Sequence, residues 1–191
     1  KYLNTAETEL FHKGSLLYGL GHAAEAARKT GSLVVVEGYM DVIGLARAGI
    51  DNAVAPLGTA LTEEQLRLLW RNVPEPVLCF DPDRAGRRAA MRAAERALPL
   101  LRPGIGLKFA FLATGTGDDP DGVARRYPKQ FLERTIADAV PLSEVLFWMD
   151  MGGVAPVSAE DRAAAEGRFR KRLERVSDHD VRAHFLRAFR A

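Results

Sequence analysis

Short apolar runs that alternate with helix-spaced segments constrain this chain more than any other feature. The runs are residues 33–36, 52–56, 77–80 and 107–112. They are too short for helices, and they are apolar along both faces, as strands covered on both sides of a sheet are. Between them, residues 39–48 and 84–98 carry helical spacing, ending at Gly49 and near Pro99. Thr62-Glu63-Glu64-Gln65 is a capping box that opens a third helix through Arg71. Asp119-Pro120 has the form of an N-cap followed by proline at the first helical position. This β-α repetition predicts an α/β fold, a parallel sheet flanked by helices on both faces.

The flanks differ. Residues 1–30 read as a loop-like entry and then a helix over 23–29, stopped by Gly31. After Ala139 no strand is predicted. Residues 142–151 form an apolar helix closed by Gly152-Gly153, and Ser158-Ala159-Glu160-Asp161 is a second capping box opening a charged helix to about Val176. Asp178 starts a last helix with Phe185, Leu186 and Phe189. The division is therefore 1–30, an α/β domain over 31–139, and a small all-helical subdomain over 140–191. Trp70, Phe147, Trp148, Phe185 and Phe189 are expected in the core. Arg168, Arg170, Lys171, Arg172 and Arg175 alternate with acids and are expected at the surface.

At 191 residues, 47% hydrophobic and 27% charged, the chain has enough apolar side chain for a real core. Its formal net charge of +2 does not by itself announce a nucleic-acid binder. The lone cysteine, Cys79, excludes an internal disulfide and fits a buried thiol in a reducing, cytoplasmic setting. No stretch has the length and apolarity to span a membrane, and no secretory signal opens the chain. It opens Lys1-Tyr2-Leu3-Asn4 without an initiator Met, which is read as a piece of a longer polypeptide.

Acids stand just past three of the apolar runs: Glu37 and Asp41, then Asp81 and Asp83, then Asp118, Asp119 and Asp121. In open parallel sheets ligands gather at the carboxyl ends of the strands. Carboxylates converging there repel one another unless a cation neutralises them. A hard divalent ion such as Mg²⁺ prefers oxygen ligands and leaves room for phosphate. The pattern points to metal-dependent phosphoryl chemistry. Simpler roles stay open: Glu37 as a helix-start acid, Asp41 as a solvated helical acid, Asp83 and Asp119 as N-caps. Asp-x-Asp also opens haloacid-dehalogenase-type phosphatases, but those place Thr or Val where Arg84 stands. Arg84, Arg87, Arg88 and Arg92 share one helix, as phosphate contacts or as a solvated face.

Glu37-Gly38-Tyr39-Met40-Asp41, Phe80-Asp81-Pro82-Asp83-Arg84-Ala85-Gly86 and Asp118-Asp119-Pro120-Asp121 together resemble the TOPRIM domain of primases, topoisomerases and some nucleases. Ala55-Pro56-Leu57-Gly58-Thr59-Ala60-Leu61-Thr62, the opening Lys1 to Thr8 run and Leu10-Phe11-His12-Lys13-Gly14 narrow this to similarity with the bacterial replicative primases, the DnaG family. The resemblance covers essentially the whole chain. It implies a TOPRIM Rossmann-like domain in the core of a DNA-templated RNA polymerase, preceded over 1–30 by the end of an N-terminal polymerase subdomain. It implies a Mg²⁺ site, with Mn²⁺ as substitute and no zinc in this stretch, formed by Glu37, Asp41, Asp81, Asp83, Asp119 and Asp121. Glu37, Asp81 and Asp83 would be catalytic, and Lys1, Lys13 and Arg84 would hold nucleotide or DNA. Pro82 departs from the glycine more often found there.

The implied partners are a single-stranded DNA template, ribonucleoside triphosphates, the RNA primer and, through a domain outside this chain, the replicative helicase. The setting is the cytoplasmic replisome at the nucleoid, with no membrane. Primer synthesis by the chain alone is expected to be poor. A TOPRIM nuclease or topoisomerase, or a non-catalytic metal-binding scaffold, are the rival readings.

Overall fold

The computed structural model describes residues 8, 11–58, 60–81, 83–111, 120–151 and 158–190. In chain order these form β1 (Leu17–Tyr18), α1 (Leu20–Thr30), β2 (Val34–Val35), α2 (Tyr39–Arg47), β3 (Ala53–Pro56), α3 (Glu63–Asn72), β4 (Val77–Phe80) and α4 (Arg84–Ala97). Then come β5 (Lys108–Phe111), α5 (Pro120–Arg126), α6 (Lys129–Ala137), β6 (Val140–Pro141), α7 (Leu142–Met151), α8 (Ala159–Leu173) and α9 (His179–Arg190). Turns of 3-10 helix occupy Lys13–Ser15 and Leu98–Leu100.

The strands order β1-β3-β2-β4-β5-β6. The inner four run parallel, with Val35 opposite both Val54 and Leu78. The edges do not: β1 is antiparallel to β3 and β6 is antiparallel to β5. The sheet is thus mixed rather than parallel throughout, and residues 140–191 do begin with a strand. Each edge strand is two residues long, a pairing set by tertiary contact rather than by local pattern. Pro141 suits an edge, where a missing N–H disrupts no ladder. Pro128, extended at ψ 155°, separates α5 from α6, which the sequence pattern had not distinguished.

The period-2 alternation of the strands divides two cores. Leu33, Val35, Leu78 and Phe109 face α1, α3, α4 and the C-terminal helices. Val34, Val36, Cys79 and Ala110 face α2, α5 and α6. Both capping boxes form: Thr62 and Gln65 bond reciprocally at α3, and Ser158 and Asp161 do so at α8.

Two expectations fail in the C-terminal helices. Arg172 is not a surface charge: its Nε and Nη2 each donate to the Asp150 carboxylate at 2.9 Å, and its Nη1 reaches Glu95 on α4 at 2.5 Å. Arg168 donates to the Asp150 carbonyl, so α8 is bolted to α7 through one buried acid and to α4 through Glu95. Trp148 is not core, being 51% exposed. Phe147 and Phe169 instead pack on Phe189, with ring centroids 4.9 and 4.6 Å away. Trp70 lies half-buried, its indole N–H donating to Gly106.

Candidate functional site

Chain crossover creates the site. After β2 the chain goes out to β3 and then returns to the other side of β2 for β4, so β2 and β4 are direct neighbours. Their carboxyl ends deliver Glu37 and Asp81 side by side, and the Asp81 N–H points at Glu37 Oε1 at 3.5 Å. Glu37 is exposed, whereas Asp81 is half-buried with its Oδ1 out of solvent. Gly86 makes this possible: a Cβ there would stand 2.2 Å from the Asp81 carbonyl oxygen. Only glycine lets α4 start so close beneath the loop.

The other acids have structural duties as well. Asp83 caps α4, its Oδ1 accepting from the Gly86 N–H at 2.7 Å. Asp41 is buried at the start of α2, where its two oxygens accept from the N–H groups of Gly38 at 3.0 Å and Asp121 at 3.3 Å. Asp121 pairs with Arg125 at 2.6 Å and lies against Gly44, where a Cβ would stand 2.5 Å from its Oδ1. The structure therefore brings Glu37 to Asp81, and Asp41 to Asp121. Asp119, Pro82 and Lys1 lie outside the described residues.

The two acid pairs share one field. Burial pushes the Cys79 thiol up to about 12, and the charges of Asp81, Asp41 and Glu37 add to the shift. A thiol so raised stays protonated at neutral pH and is no metal ligand. The donor set is then all carboxylate oxygen, the chemistry a hard cation selects. Among the described residues no three acids, histidines or cysteines converge into a ready-made metal cage. Mg²⁺ does not require one, since it keeps several waters and takes one or two carboxylates plus phosphate oxygens. An open pair such as Glu37 and Asp81 fits that habit.

Basic residues approach the same end of the sheet. Because β1 runs antiparallel to β3, with Leu17 opposite Pro56, the turn holding Lys13 lies beyond the carboxyl end of β3. Gln65, fully buried, pins this turn by donating to the carbonyls of Lys13 and Leu16 at 2.9 and 2.7 Å. Arg84 is exposed on the first turn of α4. A cleft of about 270 Å³ beside Glu37 is walled by Pro56, Leu61 and Phe80, with Arg92 and Arg96 along one side. Arg96, which motif spacing did not single out, also donates to the Leu61 carbonyl. Its signal was its place four residues beyond Arg92.

Residues 31–111 match the Toprim domain family. Over 183 residues the chain is 44% identical to the DNA primase of Pseudomonas aeruginosa, covering 95% of this chain and 27% of that protein. A crystal structure of a DNA primase domain from Pseudomonas aeruginosa superposes with a TM-score of 0.90 at 42% identity, covering 99% of this chain and 59% of that one. The structure of the DnaG primase catalytic domain bound to ssDNA gives 0.87 at 40% identity, over 99% and 60%. The chain thus spans about a quarter of the length of the curated relatives it matches. Strand-end acids on this crossover define a Toprim α/β protein. More narrowly, the chain belongs with the bacterial DnaG-type primases, as a Toprim-containing part of their catalytic core, and the topoisomerase and nuclease readings are not favoured.

Proposed function

We propose that this chain carries the metal-dependent half of a nucleotidyl-transfer site that builds short RNA primers on single-stranded DNA for replication. The observation that supports this most is the meeting of Glu37 and Asp81 at the ends of adjacent parallel strands. Glu37, Asp81 and Asp83, with Asp41, Asp119 and Asp121, are assigned to holding Mg²⁺, or Mn²⁺ in its place. Bound there, such ions offset charge developing on the transferring phosphoryl group and orient the triphosphate. Glu37, exposed and reached by the Asp81 N–H, is assigned to act as ligand or as base toward a primer 3′-hydroxyl. Asp83 holds the start of α4, so that Arg84 meets phosphate beside the acids. Lys13, and Lys1 upstream, are assigned to the nucleotide triphosphate. Binding of ssDNA by the similar DnaG catalytic domain supports the template assignment. The replicative helicase would be met through segments outside this chain, at the replisome. With a net charge of +2, the chain alone should bind template weakly and synthesise little.

The test is a chimera in which this chain replaces the matching segment of the Pseudomonas aeruginosa DNA primase. Templated, Mg²⁺-dependent primer synthesis is expected. Glu37→Gln and Asp81→Asn should each lower it by at least about 10²-fold, the scale of losing one positioned catalytic group. Undiminished synthesis in both variants would remove these acids from the mechanism.

A further inference from the structure

The capping box of α3 does more than capping requires. In such a box the third helical residue needs only an oxygen that accepts from the N-cap N–H, so glutamate serves as well as glutamine. Glutamate would also suit the helix dipole, as Glu63 and Glu64 beside it do. The chain instead places Gln65 there, fully buried. Its Oε1 accepts from the Thr62 N–H at 2.9 Å, which completes the box. The two amide hydrogens are then surplus to capping, and both point away from the helix. Nε2 donates to the carbonyls of Lys13 at 2.9 Å and Leu16 at 2.7 Å. The Thr62 hydroxyl accepts from the Gln65 N–H at 3.1 Å and donates to the Gly14 carbonyl. Two side chains thus take the carbonyls of Lys13, Gly14 and Leu16, about fifty residues upstream.

The stretch so held has little of its own to fix it. Lys13–Ser15 is a single 3-10 turn with no buried residue, and its N-cap, His12, makes no side-chain cap bond. The Ser15 N–H and hydroxyl close it on the His12 carbonyl. Such turns are weak alone because their hydrogen-bond geometry is poor. The other end of the clamp is firm. Leu61, one residue before Thr62, walls the cleft that Glu37 borders, and Arg96 of α4 holds its carbonyl. The box therefore joins the cleft wall to the turn. Fixing the Lys13 backbone in advance lowers the cost of ordering its flexible stem when the ammonium meets phosphate.

We propose that Thr62 and Gln65 are positioning residues for the triphosphate, clamping the Lys13–Ser15 turn to the cleft wall so that Lys13 is presented at the carboxyl end of the sheet. The proposal rests on the nucleotidyl-transfer reading above, in which Lys13 takes the triphosphate, and adds what holds Lys13 in place. Gln65 is glutamine because the clamp needs donors, which a carboxylate lacks.

The test measures primer synthesis by the chimera as ribonucleoside triphosphate is varied. Lys13→Ala should raise KM at least about ten-fold, the scale of one charge-assisted hydrogen bond, with kcat nearly unchanged. Thr62→Ala and Gln65→Glu should each raise KM about three- to ten-fold, again with little change in kcat. In a Lys13→Ala background neither should raise KM further, because a residue acting through Lys13 has nothing left to position. Thr62→Ser keeps the hydroxyl and should restore the parent KM. Ser158→Ala, which removes the matching cap of α8, should leave KM unchanged. Rises that add to that of Lys13→Ala, an equal rise from Ser158→Ala, or an unchanged KM in Thr62→Ala would each overturn the clamp. Should Gln65→Glu fail to fold, the pair Thr62→Ala and Thr62→Ser decides. A chimera inactivated by Glu37→Gln but indifferent to Thr62→Ala keeps the acid site and loses the clamp. Indifference to Glu37→Gln removes the acid site, and the clamp still stands or falls by the Thr62 and Lys13 variants.

Discussion

Asp150 and Glu37 are both carboxylates bordering α4, and the fold treats them in opposite ways. Asp150 is 5% exposed, and both its oxygens are taken by the Arg172 guanidinium, while Arg168 holds its carbonyl. Hydrogen bonding to Asp150 raises the Arg172 pKa above its already high value, so the guanidinium stays charged. Glu37 is exposed and receives one long backbone bond. A sealed acid whose counter-charge is internal belongs to the architecture. An open acid beside other acids leaves its counter-charge to be supplied from solution. The contrast separates framework from site using one residue chemistry.

The largest effect should come from breaking the sealed side. Asp150→Ala leaves Arg172 charged and poorly solvated, and should cost about 3–5 kcal/mol, read as a lowered urea midpoint. A joint Asp150→Leu and Arg172→Leu change should recover much of that loss, and equal damage from single and joint variants would break the comparison. On the open side the sign differs. Mn²⁺ at about ten times its Kd should raise stability by about 1.4 kcal/mol through mass action. Glu37→Gln should abolish the gain, while its metal-free stability stays within about 0.5 kcal/mol of the parent. An unchanged gain in that variant would place the ion elsewhere.

The smallest effect reads the shared field through Cys79. Its thiol is raised from 9.0 to about 12 in the folded chain by burial, then by Asp81, Asp41 and Glu37. The folded state therefore keeps its proton when the unfolded state loses it. This contribution to stability is complete below pH 9.0 and is lost as pH rises toward 12. Thiolate absorbance should be absent from the folded protein at pH 9 and present in urea. Asp81→Asn should bring its onset to lower pH and Asp150→Asn should not. Equal shifts in both would erase the distinction.

Legibility in the sequence followed locality. The capping boxes at Thr62 and Ser158, the Gly31 stop and the run Val77–Phe80 are determined by neighbours in the chain, and all were readable. So was the placing of acids past strands, because strand-end logic needs only order along the chain. The two-residue edges β1 and β6 were not, since their pairing partners lie far away in sequence. Arg172 was misread for the same reason: its i,i+4 surroundings look like a solvated face, and its acid is 22 residues upstream. The second duty of Asp41, bonding the Asp121 N–H across 80 residues, had no local sign either.

The crossover that sets β2 beside β4 also has a consequence for how the molecule is made. Glu37 and Asp81 are 44 residues apart, and nothing local draws them together. Bringing such distant segments into register is entropically slow compared with forming helices. During synthesis from the amino terminus, Glu37 emerges long before Asp81, so a half-built chain presents it without its cross-strand companion. Ion affinity should therefore appear late and cooperatively, as a reporter that the centre of the sheet has closed.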